Sequence, residues 1–418
     1  MKLEYLNNWN PWWESKEVSP ALKGVTREID PLIFKALPER EIIVLTGIRR
    51  SGKTTIMYQM IALLLQKYKP TQILYLNLDD EVLRNESLES IYSFYRQYKN
   101  PSEFAFIFLD EIQNISEWEK FLKKHYDMQA NAKFIVSGSS ANLLRGEYSA
   151  LLTGRNLTFA IFPLSFKEFL DFADVNYKNI TTSEKNKIIY ELHNYLEHGG
   201  FPEVYFKDKD LKRILLKQYF DDIIYKDIVK RHNINAKKVT ELAAYLLTNV
   251  ANTFTVTKIR NFTGLSMDSI KDYLSYLEDA YLVLPISHFS YSLKETSQLP
   301  RKSYSIDCGM RNVVGFRFSN DAGRLAENCV RSELLRRNKE VYYWKGSGEV
   351  DFVVKNKDNS LTAINVSFTD KINEREITSL QEFKNNFKHV KDLLVLTEDT
   401  EKQKDGIFLI PLWKWLLN

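Results

Sequence analysis

The sequence has 418 residues, a formal net charge of +4, 44% hydrophobic residues and 27% charged residues. This composition is ordinary for a globular protein, and the length predicts about two to four domains. The near balance of charges neither requires nor excludes a nucleic-acid partner. The two cysteines, Cys308 and Cys329, exclude a disulfide scaffold. No secretory signal and no membrane-length apolar run is visible, so we expect a cytoplasmic protein without a membrane partner.

Residues 1–38 precede the first predicted strand and carry an aromatic cluster of Trp9, Trp12 and Trp13. One interpretation is that these rings pack against the base of a bound nucleotide. The other, which we favour, is that they staple an N-terminal arm onto the domain that follows.

The stretch GIRRSGKT at 47–54 follows an apolar run and precedes a helical pattern, as a phosphate-binding P-loop does. Glycines let the backbone N–H groups curl around phosphate oxygens, and the following helix adds the positive end of its dipole. We expect Lys53 to reach the β- and γ-phosphates and Thr54 to place its hydroxyl on Mg²⁺. A Gly-rich turn that matches by accident is the alternative, and the strand-before, helix-after context argues against it. The predicted nucleotide-binding residues are Gly47, Ile48, Arg49, Arg50, Ser51, Gly52, Lys53, Thr54 and Thr55.

Short apolar strands alternate with helical segments between residues 41 and 162. This order predicts an α/β fold, in which a parallel sheet is covered by helices on both faces. Functional side chains in such sheets lie beyond the carboxyl ends of the strands. The predicted strands are 42–46, 73–78, 105–109, 133–137 and 157–162.

Two acids, Asp110 and Glu111, directly follow the apolar strand 105–109. Asp110 can hold Mg²⁺ through its water shell, as the acid of a Walker-B strand does. Glu111 is then placed to orient the attacking water as a general base, which favours hydrolysis over a mere switch. The alternative is a pair of exposed loop carboxylates. An extra strand between the P-loop strand and this one would fit the same class of ATPase.

The strand 133–137 ends in small hydroxyl residues, in the run Ser137-Gly138-Ser139-Ser140. A polar side chain here can sense the γ-phosphate or the attacking water, and we choose Ser137 first and Ser139 second. The alternative is a capped turn, for which serine and glycine are ordinary residues.

These motifs, with LLTGR at 151–155, FPLSFKEF at 162–169, GGFPE at 199–203 and YKDI at 225–228, resemble a large family of archaeal and bacterial AAA+-like P-loop ATPases. Family members carry a C-terminal domain of unknown function, often related to PD-(D/E)xK nucleases. The resemblance implies an additional-strand P-loop NTPase fold, ATP and Mg²⁺ as cofactors, and assembly into a homo-oligomer or binding of a partner. It implies no established substrate.

Arg155 follows Gly154 shortly before the last predicted strand. An arginine near the γ-phosphate can stabilise charge in the transition state, so Arg155 is the first candidate for an arginine finger. Arg231 is the second. For either residue the alternative is an ordinary salt bridge or helix-cap contact.

The domains that we predict are an arm with the ATPase core (1–163), a helical lid (164–234), a winged-helix-like module (235–299) and an α/β unit (300–418). Winged helices commonly place their second helix in the DNA major groove. Here that helix, 267–280, has four acids and one lysine, which argues for packing or protein contacts instead. Lys258 and Arg260 on the preceding helix keep DNA as an alternative partner.

The last domain resembles a PD-(D/E)xK nuclease core in its element order, with Glu327 and Asp351 at the first two acidic positions. Asn365 and Ser367 stand where a nuclease has glutamate and lysine. Because metal binding and the basic group are lost with them, we expect a binding or structural platform without nuclease activity.

The sequence thus predicts an ATPase that couples hydrolysis to movement of its C-terminal domains. The alternative is a slow ATP-dependent switch or binding scaffold, either protein- or nucleic-acid-associated.

Overall fold

The computed structural model describes residues 2–140, 151–316, 321–369 and 371–418, and for Leu293 the backbone alone. The chain divides into two compact units, Met1–Phe162 and Pro163–Asn418. No helix among the described residues is long and apolar enough to cross a membrane.

A five-stranded sheet with all strands parallel forms the centre of the first unit. Its order is β2-β3-β4-β1-β5, which confirms the predicted parallel sheet. Strand β4 lies between β1, which leads into the P-loop, and β3, which ends in Asp110. The sheet therefore contains the extra strand between the P-loop strand and the acidic strand that defines the additional-strand order. The strands are β1 (Ile42–Thr46), β2 (Ile73–Asn77), β3 (Ala105–Asp110), β4 (Ala132–Gly138) and β5 (Asn156–Ala160).

Alternate strand residues face opposite sides of the sheet and enter two separate hydrophobic cores. Helix α5 covers one side, where it packs with Ile43 and Ile135, and helices α7 and α8 cover the other, with Val44 and Val136. The helices of this unit are α1 (Leu3–Trp9), α2 (Trp12–Ser15), α3 (Pro20–Lys23), α4 (Asp30–Lys35), α5 (Lys53–Leu64), α6 (Glu81–Arg84), α7 (Leu88–Tyr98) and α8 (Trp118–Asp127).

The N-terminal arm covers the edge of the sheet at β2. Asn10 accepts a hydrogen bond from the backbone N–H of Tyr75 at 2.7 Å and donates to the carbonyl of Tyr75 at 3.0 Å. The indole N–H groups of Trp12 and Trp13 donate to the carbonyl of Ile73 at 3.2 and 2.9 Å. Side chains of the arm therefore satisfy backbone groups that an edge strand leaves open. Trp12 is completely buried, as we expect of a ring that packs the N-terminal arm onto the domain that follows.

The second unit begins with helices, which are α9 (Phe166–Phe172), α10 (Thr182–His198), α11 (Pro202–Tyr205), α12 (Lys209–Asp222) and α13 (Lys230–His232). Ser165 caps α9 in a full capping box with Glu168. Helices α12 and α13 are continuous, but the winding widens into a π-helix over Ile223–Val229 between them. Apolar spacing does not reveal that change of winding.

Helices and two short strands follow. The segment contains α14 (Ala236–Thr248), β6 (Thr253–Phe254), α15 (Val256–Thr263), α16 (Met267–Asp279), α17 (Leu293–Gln298), β7 (Arg301–Lys302) and α18 (Cys308–Val314). Strands β6 and β7 pair antiparallel. The segment 281–286 forms no regular wing strand, since only isolated bridges occur there, from Val283 to Ser305 and from Ile286 to Lys302. The winged-helix assignment stays a prediction.

A mixed six-stranded sheet of order β12-β13-β11-β10-β9-β8 completes the second unit. Strands β10, β11 and β13 run parallel, and the remaining pairs are antiparallel. The elements are α19 (Ala322–Arg336), β8 (Glu340–Lys345), β9 (Glu349–Lys355), β10 (Leu361–Ser367), α20 (Glu374–Asn386), β11 (Val390–Thr397), β12 (Lys402–Lys404), β13 (Ile407–Pro411) and α21 (Leu412–Leu417).

Candidate active site

The P-loop connects β1 to α5 in a backbone conformation that depends on glycine. Gly47 has φ 133°, and a Cβ atom there would lie 2.0 Å from the carbonyl oxygen of Ile161. Gly52 has φ 104° directly before the first residue of α5. Arg27 fixes the loop from outside, donating to the carbonyl of Ser51 at 3.0 Å and to that of Phe162 at 3.1 Å. The loop therefore has one defined shape, with helix N–H groups at its mouth.

Lys53 is the first residue of α5, and its side chain is buried. Its ammonium donates to the carbonyl oxygens of Gly47 at 2.9 Å and Ile48 at 3.0 Å. The ammonium therefore lies across the mouth of the loop, where phosphate oxygens can replace these carbonyls as acceptors.

Asp110, at the end of β3, is buried and accepts hydrogen bonds from three side chains. Thr54 and Tyr75 donate to its Oδ2 at 2.6 and 2.9 Å, and Ser137 donates to its Oδ1. Burial, together with the charge of Asp110, raises the pKa of Tyr75, so this hydroxyl keeps its proton and acts as a donor. The contact with Thr54 joins the P-loop helix to the acidic strand end.

Glu111 has the left-handed backbone conformation, with φ 55° and ψ 48°. Its N–H donates to Ser137 Oγ at 3.2 Å, and its carboxylate accepts a hydrogen bond from Gln113. Arg49 of the P-loop approaches the same carboxylate, with 3.9 Å between Nη1 and Oε1. Contacts with Gln113 and Arg49 thus hold the carboxylate of Glu111, the candidate general base, beside the P-loop.

Ser137 lies at the centre of the site because β4 lies between β1 and β3. Its backbone pairs with Leu45, one residue before the end of β1. Ser139 is also buried, just beyond the strand. The structure therefore brings Lys53, Thr54, Asp110, Glu111 and Ser137 together at the carboxyl ends of the strands.

The structure does not bring Arg155 to this site. Its carbonyl accepts from the N–H of Ile42, at the start of β1, whereas the P-loop follows the end of that strand. The two ends of β1 are about 13 Å apart at the usual strand rise. The guanidinium instead pairs with Asp127, with 2.8 Å between Nε and Oδ1. An arginine finger from Arg155 to the nucleotide of its own chain is therefore corrected to an ordinary salt bridge. Arg231 lies exposed on α13 in the second unit.

Comparison with known proteins matches three family models to successive parts of the chain. A model of an AAA domain matches residues 39–170, and models of two domains of unknown function, DUF8612 and DUF4143, match residues 189–321 and 322–415. The chain is 34% identical over 427 residues to the uncharacterised protein MJ1544 of Methanocaldococcus jannaschii, covering 97% of this chain and 94% of that protein.

The chain belongs to a family of AAA-type P-loop ATPases with C-terminal domains of unknown function. An uncharacterised protein of Haemophilus influenzae is 33% identical over 391 residues, which cover 90% of this chain and 94% of that protein. Among solved structures, the Walker-type ATPase paby2304 of Pyrococcus abyssi matches with 15% identity and a TM-score of 0.45, covering 69% of this chain and 95% of that one.

Three side chains of this site were not predicted from the sequence. Tyr75 lies inside an apolar strand, where an aromatic residue signals core packing rather than contact with an acid. Arg27 lies far from the P-loop along the chain and carried no local pattern. Gln113 could have been found, because it follows the acid pair within the run LDEIQ.

A second polar cluster lies in the C-terminal part of the chain. The Lys302 ammonium, with a 2% exposed side chain, lies 2.8 Å from Glu327 Oε1, 2.7 Å from Glu349 Oε1 and 3.0 Å from Asp351 Oδ1. Tyr304 donates to Glu327 at 2.6 Å. Burial lowers the pKa of Lys302, but the neighbouring carboxylates, Glu327 first, raise it well above its ordinary value.

The structure brings the two acids of the nuclease-like pattern together, but around a lysine. Asn365 accepts from the N–H of Asp351 at 3.1 Å and donates to Ser379 at 2.9 Å. Lys302 was missed because it comes from a distant strand. Glu349 could have been predicted from the sequence, since it precedes Asp351 by two residues and so shares its face of β9.

Within the described ranges, no group of three or more His, Cys, Asp or Glu residues is arranged to hold a metal ion.

Proposed function

We propose that the protein binds ATP with Mg²⁺ and hydrolyses it at the P-loop. The observation that carries this proposal is the contact network around Asp110. One carboxylate meets the P-loop hydroxyl of Thr54 and the Ser137 hydroxyl, and Ser137 in turn holds the backbone of Glu111. A phosphate-binding loop, a metal-holding acid and a water-orienting acid are thus linked by hydrogen bonds.

The P-loop backbone and Lys53 bind the triphosphate in this proposal. Backbone N–H groups at the start of α5 face the phosphates, and the helix dipole favours negative charge there. The Lys53 ammonium exchanges the carbonyls of Gly47 and Ile48 for phosphate oxygens, because charge-assisted hydrogen bonds are stronger than those to neutral carbonyls.

Thr54 and Asp110 fit a magnesium site, because Mg²⁺ prefers hydroxyl, carboxylate and water oxygens. These two side chains lie 2.6 Å apart beside the P-loop, and both offer oxygen atoms. When bound, Mg²⁺ supplies positive charge that neutralises the phosphate oxygens.

Glu111 accepts the proton of the attacking water in the hydrolysis step. The water oxygen forms the new bond to the γ-phosphorus, and the bond to the bridging oxygen breaks with its electron pair going to ADP. The left-handed backbone at Glu111, held by Ser137, sets the direction from which its carboxylate approaches.

Glu111→Gln tests this assignment. We expect ATP binding to persist and turnover to fall by about 100-fold or more, because the amide cannot accept the proton. Glu117→Gln is the matched control, since Glu117 is an exposed acid of the same segment that pairs with Lys120. Equal turnover of Glu111→Gln and the wild type would refute the assignment.

A second candidate function is a slow ATP-dependent switch. The contacts of the Glu111 carboxylate with Gln113 and Arg49 favour it, because a base already held by donors is a weaker proton acceptor. Tight ATP binding with negligible turnover of the wild type would support the switch. Fast turnover that Glu111→Gln stops would support the enzyme.

For the C-terminal domains we propose a role in partner binding without nuclease activity. Lys302 fills the space between Glu327, Glu349 and Asp351, which supports the absence of a catalytic metal there. Binding to duplex DNA that weakens steeply with salt would support a nucleic-acid partner. DNA cleavage with Mg²⁺ that Asp351→Ala abolishes would contradict the proposal.

Assembly into a homo-oligomer is part of the same proposal and rests on the resemblance to AAA+-like ATPases; an arginine finger would need such an assembly only if it acted on the nucleotide of a neighbouring copy. Light scattering with and without ATP measures the oligomeric state directly.

A further inference from the structure

Tyr75 connects the N-terminal arm to the acid that we assign to magnesium. Its backbone lies on the edge strand β2, and its hydroxyl donates to Asp110 Oδ2 at 2.9 Å. The side chain has no exposed surface. Buried tyrosine hydroxyls find a partner, and here the partners are a carboxylate of the site and the side chain of Tyr58 rather than a backbone carbonyl.

The arm fixes the position of Tyr75 through its backbone. The Asn10 side chain accepts from the Tyr75 N–H at 2.7 Å and donates to the Tyr75 carbonyl at 3.0 Å. Asn10 itself is buried, and it also donates to the carbonyl of Leu6 at 2.7 Å. The rings of Trp9 and Trp12 lie with their centroids 6.2 and 6.4 Å from that of Tyr75. The arm thus does what a neighbouring strand would do for β2.

Tyr75 and Ser137 hold different oxygens of Asp110, Oδ2 and Oδ1. The carboxylate plane is therefore set from both sides by the protein. Thr54, the third donor, belongs to the P-loop and is the group that we expect to change partner when nucleotide and metal bind. Tyr75 then remains as the donor that keeps Oδ2 in place.

We propose that Tyr75 is a positioning residue for Asp110 and that the docked arm, through Asn10, keeps it in register. This inference rests on the proposed function of the P-loop site. It assigns to the tryptophan-rich arm a role in metal-dependent nucleotide binding rather than contact with the base.

Tyr75→Phe tests the hydroxyl alone, because the ring and its packing are kept. The measurement is the dissociation constant of a fluorescent ATP analogue (mant-ATP) in Mg²⁺ and, separately, in EDTA. We expect Tyr75→Phe to weaken binding about tenfold in Mg²⁺, as loss of a partner behind a metal ligand does, and to leave binding in EDTA unchanged. Tyr95→Phe is the matched control, since Tyr95 is equally buried and stacks on Trp13, but donates to the carbonyl of Thr71.

Asn10→Ala tests the arm. We expect the same Mg²⁺-specific weakening, and the double variant Asn10→Ala/Tyr75→Phe to bind no more weakly than Tyr75→Phe, because both changes act through one hydroxyl. The midpoint of thermal unfolding shows that each variant is folded.

Equal Mg²⁺ affinities for Tyr75→Phe and Tyr95→Phe would overturn the inference, as would equal losses in Mg²⁺ and EDTA. The proposed function fails separately, if the wild-type protein binds mant-ATP in neither condition.

Discussion

The Ser137 hydroxyl links two acids to which we assign different roles. It donates to Asp110 and accepts from the N–H of Glu111 at 3.2 Å. One hydroxyl therefore fixes the positions of the acid that we assign to magnesium and the acid that we assign as general base relative to each other, a link that neither sequence motif shows by itself.

Ser137→Ala should slow ATP turnover while leaving ATP affinity nearly unchanged. The expected loss is about tenfold to 100-fold, because a hydrogen bond to a charged group contributes about 1.5–3 kcal/mol. Single-turnover assays with radiolabelled ATP measure it. Ser139→Ala should have the smaller effect, and the opposite ranking would show that Ser139 is the sensor.

Arg155→Ala should leave the turnover of the monomeric protein within about twofold of the wild type and change stability by less than about 1 kcal/mol. The reason is its exposed pairing with Asp127, at the amino ends of the strands, whereas the P-loop follows the carboxyl end of β1. Steady-state assays over a range of protein concentrations measure this. A loss of turnover that grows with protein concentration would contradict it and indicate a finger acting in a neighbouring copy.

At the scale of elements, the junction of β1 and the P-loop tolerates no side chain. The N–H of Ile161 donates to the carbonyl of Thr46 at 2.7 Å, which brings the chain after β5 against the start of the loop. Gly47 occupies the remaining space.

Gly47→Ala should lower the midpoint of thermal unfolding and abolish ATP binding. Its Cβ would overlap a backbone carbonyl that has no room to move, in addition to the strain of a positive φ. Gly154→Ala is the control, because Gly154 also has a positive φ, but a Cβ atom there would meet no atom of the described residues within 4 Å. We expect the control to cost about 1 kcal/mol and to keep ATP binding. Equal effects would show that strain alone, without the overlap, explains the change.

At the scale of the whole molecule, the Lys302 cluster joins elements that are far apart in the sequence. Lys302 comes from β7, Glu327 from α19, and Glu349 and Asp351 from β9. One ammonium faces three carboxylates, so the cluster carries excess negative charge. Burial, followed by the charge of Asp351, raises the pKa of Glu327 from 4.5 to about 7.

The protein should lose stability at this cluster as the pH rises from about 4.5 to about 7, because the folded state binds the Glu327 proton more tightly than the unfolded state. Glu327→Gln removes that dependence. The unfolding midpoint of the variant minus that of the wild type should therefore increase as the pH rises from about 5 to about 8. Scanning calorimetry across this range measures the difference. Glu374→Gln, at an exposed acid, is the control, and a pH-independent difference for Glu327→Gln would contradict the prediction.

The sequence by itself determined the parts of this protein that are local. The P-loop, the acid pair 110–111 and the five parallel strands each depend on neighbouring residues, because glycine conformations, helix starts and strand patterns are set within a few positions. These are also the parts of the fold and site that could be predicted.

Only the tertiary structure decided which distant residues meet. Strand order placed β4 and Ser137 between the P-loop and Asp110, and the parallel pairing of β5 with β1 placed Arg155 at the amino ends of the strands, away from the P-loop. The contacts of Tyr75 with Asp110 and of Lys302 with three carboxylates join segments with no shared local pattern. These contacts form because a buried charge or hydroxyl group needs a hydrogen-bond partner. Tertiary packing, rather than spacing along the sequence, determines which residue is close enough to be that partner.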